Sequence, residues 1–144
     1  MAKKTPMSIF YLLRRLIIVG LFNLIPDPPH HNYIFRLSNL VLRLFCPNLH
    51  HKVDIYSGLR IKNGHNLICE KGVLINRDCY IDNDNAEVYI CEGTQIGARV
   101  SFITVTHNTH NKDVYWKPIN IGRHVWIGAN AVILPGVKIG NNSI

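Results

Sequence analysis

The sequence predicts an all-β solenoid of short strands, preceded by two α-helices. Two observations carry this reading. From Ile121 onward the chain repeats every six residues, and a fixed internal period signals stacked copies of one structural unit. Before Lys52 the pattern is different: two apolar segments flank a proline cluster, and the second has helical spacing.

The first segment, Ser8–Ile25, is closed by Pro26, Pro28 and Pro29. Arg14 and Arg15 lie in its middle, and each would cost about 2.5–3.5 kcal/mol at the centre of a spanning helix. A transmembrane span is therefore not expected. No small-x-small site precedes Pro26, so a cleaved signal peptide is not expected either. Two readings stay open for this helix. It lies on an anionic membrane face, aided by Lys3, Lys4, Arg14 and Arg15, or it packs on the rest of the protein.

The second helix takes Asn32 as N-cap. Ile34, Leu37, Val41 and Leu44 recur at helical spacing, with Phe35 and Leu40 widening the stripe. Arg36, Asn39 and Arg43 fall outside it. This is read as a packing helix, closed by Pro47.

From Lys52 the chain turns to short β-prone pieces separated by Gly, Asn and Asp. The last four blocks open on Ile121, Ile127, Ile133 and Ile139, with Val125, Ala131, Val137 and Ser143 at their fifth places. Traced backward, the same step joins Ile90, Ile96 and Phe102, with Thr94, Val100 and Thr106 fifth. It then joins Cys69, Ile75 and Ile81, and finally Ile55 and Ile61. An α-helix returns to one face every three or four residues and a strand every two. A step of six, large then small, fits a three-sided coil instead. Each side is a short strand, both marked residues point inward, and Gly or Asn makes the corner. Gly97, Gly122, Gly128 and Gly140 follow the aliphatic residue. The largest break, between Phe102 and Ile121, marks an inserted loop over residues 108–120. The chain thus divides into a helical leader, 1–51, and a solenoid domain, 52–144.

Composition narrows the function. The length of 144 residues suits one core. A net charge of +7 favours anionic partners, but no nucleic-acid-binding motif accompanies it. Cys46, Cys69, Cys79 and Cys91 form no C-x-x-C pair. They read as reduced core thiols of a reducing compartment, hence cytoplasmic.

Function must be argued from a site on the scaffold. The inserted loop is the place to look, since binding and catalysis concentrate on loops held by rigid frames. At its mouth stand His107 and His110. A histidine there suits general-base chemistry near neutral pH, while a plain polar loop histidine is the alternative. Zinc needs three or four ligands; His107, His110, His124 and Asp113 do not compose such a set by spacing, so no metal is expected.

The stretch Thr104-Val-Thr-His107, the loop, Lys117-Pro-Ile-Asn-Ile-Gly, and then Val125-Trp-Ile-Gly-Ala-Asn-Ala-Val-Ile-Leu-Pro-Gly resembles the hexapeptide-repeat acyltransferases. The nearest branch holds the maltose, galactoside and nodulation-factor O-acetyltransferases and the acetyltransferases of surface-polysaccharide clusters. The resemblance spans roughly Lys52 to Ile144. It implies a left-handed parallel β-helix, a homotrimer with active sites between subunits, acetyl-CoA as donor and a sugar hydroxyl as acceptor. By position it makes His107 the catalytic base and Asn76 an acceptor-site residue. Trp126, Gly128 and Ala129 would flank the pantetheine arm, and Arg99, Arg123 and Lys138 are candidates to attract the CoA phosphates. Family members usually continue for at least one coil beyond Asn-Ser-Ile. The sequence ending at Ile144 is therefore expected to be a truncated form, and an impaired scaffold is the alternative function. A zinc hydratase on the same fold is a third reading, and its histidine spacing is not met here.

Overall fold

The computed structural model describes residues 9–24 and 33–144. Asn32, Lys3 and Lys4 lie outside the described residues, as do the side chains of Arg14, Arg15, Ile34, Phe35 and Arg36. Two helices, α1 (Ile9–Leu24) and α2 (Tyr33–Phe45), precede fourteen short strands.

Twelve of the strands wind into three parallel sheets, each visited once per coil. The first sheet stacks β1 (Asp54–Ile55), β4 (Leu74–Ile75), β7 (Gln95–Ile96) and β12 (Trp126–Ile127). The second stacks β2 (Arg60–Ile61), β5 (Tyr80–Asp82), β8 (Ser101–Ile103) and β13 (Val132–Ile133). The third stacks β3 (Leu67–Cys69), β6 (Val88–Ile90), β11 (Ile119–Ile121) and β14 (Lys138–Ile139). Sheet register puts the six-step residues directly over one another. Ile55, Ile75, Ile96 and Ile127 form one column; Ile61, Ile81, Phe102 and Ile133 a second; Cys69, Ile90, Ile121 and Ile139 the third. All but Ile139 are buried. Full burial of such a side chain contributes about 1.5–3 kcal/mol, so these columns and the buried fifth-place residues Leu59, Val73, Cys79, Val100 and Val125 are the core.

The corners correct one expectation. The glycine after the aliphatic residue does not make the turn. The left-handed residue is two places further on, and there Asp78 (φ 59°), Arg99 (φ 57°), His124 (φ 53°) and Asn130 (φ 62°) serve as well as Gly58 or Gly72. Gly97 serves close approach instead: a Cβ there would stand 2.6 Å from the Ala129 nitrogen of the next coil.

The register slips fall together. Ile61 to Cys69, Ile81 to Ile90 and Phe102 to Ile121 all run from the second sheet to the third, so the extra residues stack at one corner. A 3₁₀ turn, Gly64–Asn66, fills the first. Asn83, wholly buried, ties the second to it by donating Nδ2 to Asn63 O (2.8 Å) and accepting Asn63 N–H (3.0 Å).

The third is a β-hairpin of β9 (Val105–His107) and β10 (Val114–Trp116), paired antiparallel with His107 opposite Val114. The excursion thus begins at Thr104, not Asn108, and ends at Lys117, whose N–H donates to Thr104 O at 2.9 Å. Ile119 and Asn120, expected in the loop, are already strand residues of the third sheet. Thr106, expected as the inward fifth-place residue, lies in the hairpin. Thr104 is the buried one, donating Oγ1 to Asp82 O at 2.7 Å.

The helices close the first coil, and α2 does so with an unexpected face. Leu37, Leu40 and Leu44, read as its packing stripe, are exposed; Asn39, Leu42 and Phe45 are buried. The reason is that apolar residues cover more than half of this helix's circumference, with Arg36, Asn39 and Arg43 gathered in a polar sector, so the apolar spacing alone does not select a side. What selects it is hydrogen bonding. Asn39 Nδ2 donates to Ile55 O (3.3 Å), and Ile55 N–H donates to Asn39 Oδ1 (2.9 Å), which meets the open strand edge of the first coil. On α1, Asn23 Nδ2 donates to Leu59 O (3.0 Å) and its Oδ1 accepts Gly58 N–H (2.9 Å). After α2, Leu49 bridges in parallel to Cys69.

Candidate functional site

The structure sorts the sequence-selected residues onto two edges of the solenoid. Asn76, Gly97 and Gly128 each follow an aliphatic column residue of the first sheet, so they stack at the corner between the first and second sheets. The ladder runs through them: Asn76 N–H donates to Ile96 O (3.0 Å) and Gly97 N–H to Ile127 O (2.8 Å). Asn76 Oδ1 also accepts the N–H of the next residue, Arg77, at 2.8 Å, which holds its side chain against its own turn. Gly128 and Ala129 are exposed at the top of this edge. Trp126 stands next to them on the outer face of the first sheet, 55% exposed, so it is not part of the core. A Cβ on Gly128 would meet nothing within 4 Å, unlike its stacked counterpart Gly97.

His107 is exposed and lies on the hairpin at the next edge, between the second and third sheets. The hairpin is rooted by Thr104 and by paired strands, and its tip is held by Asn108 and Asn111. Asn108 N–H donates to Asp113 O (2.8 Å), and Asn111 Nδ2 donates to Asp113 Oδ2 (2.7 Å). His107 therefore sits on ordered strand rather than on the loop tip that carries His110. Within one chain the second sheet separates His107 from the edge of Asn76, Gly128 and Ala129.

Beneath the hairpin root lies a charged cluster that the sequence reading did not single out. Lys62 Nζ lies 2.8 Å from Asp82 Oδ2 and 3.7 Å from Asp84 Oδ2, and Tyr80 O–H donates to Asp82 Oδ2 at 3.3 Å. Asp82 Oδ1 is buried with no hydrogen-bond partner among the described residues. A recess beside the Asn76 corner was also missed. Asn23, Gly58, Arg60, Asp78, Tyr80, Arg99 and Ser101 line it, with the Arg60 guanidinium 5.7 Å from the Tyr80 ring centroid. The signal for it was present in the spacing, since Arg60, Tyr80 and Ser101 occupy equivalent outward positions one coil apart.

The three candidate phosphate-attracting cations are not brought together. Arg99 lines that recess, with Nε donating to Asn130 Oδ1 at 2.8 Å. Arg123 lines another recess, with Glu70, Glu92 and His50, at the corner between the third and first sheets. Lys138 is exposed on the third sheet. Nor do the cysteines supply a nucleophile at His107. Burial pushes the Cys46 thiol up to about 12 and also raises Cys69, Cys79 and Cys91, and a raised thiol is a poor attacking group near neutral pH. No group of three or more His, Cys, Asp or Glu gathers into a metal-binding set among the described residues.

Comparison with known proteins meets this geometry at both levels. Residues 118–144 match the family described as bacterial transferase hexapeptide (six repeats). Nodulation protein L of Rhizobium leguminosarum bv. viciae is 41% identical over 80 residues, covering 51% of this chain and 41% of that protein. Galactoside O-acetyltransferase of Escherichia coli is 39% identical over 66 residues, covering 42% of this chain and 32% of that one. The chain thus spans less than half the length of these relatives. Among solved structures, a maltose O-acetyltransferase from Clostridium difficile 630 superposes with a TM-score of 0.73 at 22% identity, covering 92% of this chain and 72% of that one. A hexapeptide-repeat acetyltransferase from Vibrio cholerae, complexed with acetyl coenzyme A, gives 0.73 at 24%, covering 94% and 74%. At that identity the likeness speaks for the fold. Residues 118–144 therefore carry the bacterial transferase hexapeptide repeat, and the chain is similar in sequence to nodulation protein L and galactoside O-acetyltransferase and in fold to maltose and hexapeptide-repeat acetyltransferases.

Proposed function

We propose that this protein is an O-acetyltransferase that moves the acetyl group of acetyl-CoA to a saccharide hydroxyl, in surface-polysaccharide biosynthesis in the cytoplasm. The coils are read as left-handed, as the family resemblance implies, and no metal takes part. In the reaction, His107 accepts the proton of the acceptor hydroxyl. The freed oxygen attacks the thioester carbonyl, the carbon–sulfur bond breaks, and CoA leaves as the thiol once a proton reaches its sulfur. Transfer is direct, since no activated thiol adjoins His107. A backbone N–H at Gly128 or Ala129 would meet the developing oxyanion, Asn76 would orient the acceptor, and Trp126 would flank the pantetheine arm.

The observation that carries this reading is the fixed seat of His107 on a rooted strand at the hairpin mouth, in a chain whose relatives are acetyltransferases. The separation of His107 from the Asn76 edge supports a homotrimer. A second copy set against the first would put one protomer's hairpin beside the Asn76–Gly128 edge of its partner. Exposed Trp126, Val132 and Leu134 on the outer faces fit such a contact. The first helix is read as a contact with a membrane surface.

The test is acetyl-CoA consumption with saccharide acceptors. Wild type is expected to turn over and His107→Ala to lose at least about a hundredfold, the ordinary contribution of a general base. Equal rates in the two would remove His107 from the mechanism.

A further inference from the structure

Both leader helices turn apolar side chains away from the solenoid. On α1, Leu16, Ile17, Leu21 and Leu24 are all more than half exposed; the four- and three-residue steps from Ile17 to Leu21 to Leu24 set those three on one face, with Leu16 beside it. On α2, Leu37 and Leu40 are 59% and 55% exposed, opposite the buried Asn39 and Leu42. The two helices pack on each other. Scattered surface leucines need no explanation, but exposed stripes on two adjoining helices mark a surface that something covers. No described helix is long and apolar enough to cross a membrane.

Charge selects the occupant. Residues 1–51 hold six Lys or Arg and a single Asp, a net +5 of the chain's +7. A second copy would set +5 against +5. An anionic lipid surface complements it, because basic residues held at such a surface are attracted and apolar side chains enter the headgroup boundary.

We propose that α1 and α2 together form an in-plane docking surface for an anionic phospholipid bilayer. This deepens the membrane contact proposed above for the first helix, adding α2 and naming the lipid charge. Asn23 and Asn39 fasten the two helices to the first coil, so the docked leader holds the solenoid by its first-coil end.

Flotation of the full chain with vesicles tests this, using phosphatidylcholine alone and phosphatidylcholine mixed with phosphatidylglycerol. Partitioning is expected to be at least about tenfold stronger onto the mixed vesicles and to fall with added salt. The pairs Ile17→Gln/Leu21→Gln and Leu37→Gln/Leu40→Gln should each lower it about tenfold or more, with thermal melting and acetyl-CoA turnover unchanged. Lys3→Glu/Lys4→Glu, in the sequence before α1, should lower it several-fold. Equal binding to both vesicle types overturns the proposal. So does undiminished binding by Leu37→Gln/Leu40→Gln, although loss in Ile17→Gln/Leu21→Gln alone would leave the first-helix contact standing. Leader-dependent self-association without lipid binding assigns the face to a second copy and also overturns it.

Discussion

Asn39 of α2 occupies both free ladder groups of Ile55, accepting its N–H at 2.9 Å and donating to its C=O at 3.3 Å. One side-chain amide thereby stands in for the strand that a preceding coil would supply. A buried backbone group left unpaired costs about 1–3 kcal/mol, and Asn39 is only 5% exposed. Asn39→Leu is therefore expected to destabilise the protein by about 2–4 kcal/mol, although leucine is the better helix former. Asn23, exposed on α1, makes the same two-point contact with Gly58 and Leu59; Asn23→Ala should cost about 0.5–1.5 kcal/mol. Urea unfolding followed by circular dichroism separates the two, and equal losses would refute the edge-pairing account of Asn39.

Thr104 fixes the root of the hairpin that carries His107. Its N–H and Oγ1 both donate to Asp82 O, at 3.0 Å and 2.7 Å, and its C=O accepts Lys117 N–H. Thr104→Val keeps the shape and removes only the hydroxyl bond. Stability should fall by about 1 kcal/mol. If the root positions the base, kcat for acetyl transfer falls several-fold while KM for acetyl-CoA holds. An unchanged kcat in a destabilised Thr104→Val would confine Thr104 to a structural role.

How far the sequence reached depended on what each residue has to face. The inward columns were legible because every coil repeats the same large-then-small demand, and Ile75, Ile96 and Ile127 each meet it. The breaks in the six-residue step were legible too, but that they share one corner came only with the sheet order. The packed face of α2 was not. Leu37, Leu40 and Leu44 make as good a stripe as the buried set, and the deciding residue, Asn39, is polar and acts through hydrogen bonds to a strand sixteen residues away. The hairpin was mistaken for a loop because a short excursion of this kind has no inward column to mark it. His107 and Asn76 were both selected, but spacing along one chain does not reveal that they lie on different edges.

Gly97 and Gly128 occupy the same corner one coil apart, yet they meet different surroundings. A Cβ at Gly97 would lie 2.6–2.8 Å from backbone atoms of Ile127, Gly128 and Ala129, and backbone cannot step aside as a side-chain tip can. Gly97→Ala should cost about 1–3 kcal/mol through overpacking. Gly128→Ala meets nothing within 4 Å and should melt like wild type. If the donor lies against Gly128 as proposed, KM for acetyl-CoA rises in Gly128→Ala with no loss of fold. A Gly128→Ala enzyme with wild-type kinetics would remove Gly128 from the donor site.

Glu70, just after β3, and Tyr89 of β6 make a pH-limited bond. Tyr89 O–H donates to Glu70 Oε1 at 2.6 Å, and Glu92 N–H donates to Oε2 at 2.9 Å. The Tyr89 bond, then the Glu92 N–H, hold the Glu70 carboxyl below its ordinary value of 4.5. The same bond, with lesser help from burial, pushes Tyr89 from 10.0 up to about 12. The signs follow from linkage. A depressed carboxyl stabilises the fold above its unfolded pKa and loses that contribution as pH falls through the folded value. A raised phenol stabilises below its unfolded pKa and loses it as pH rises toward about 12. Tyr89→Phe should therefore cost about 0.5–1.5 kcal/mol at neutral pH. The gap between wild type and variant should stay flat from about pH 5 to about pH 9.5 and narrow on both sides. Urea unfolding at acid, neutral and alkaline pH measures that gap. A gap that persists undiminished in acid would mean that the Tyr89 hydroxyl is held by something other than the ionised Glu70.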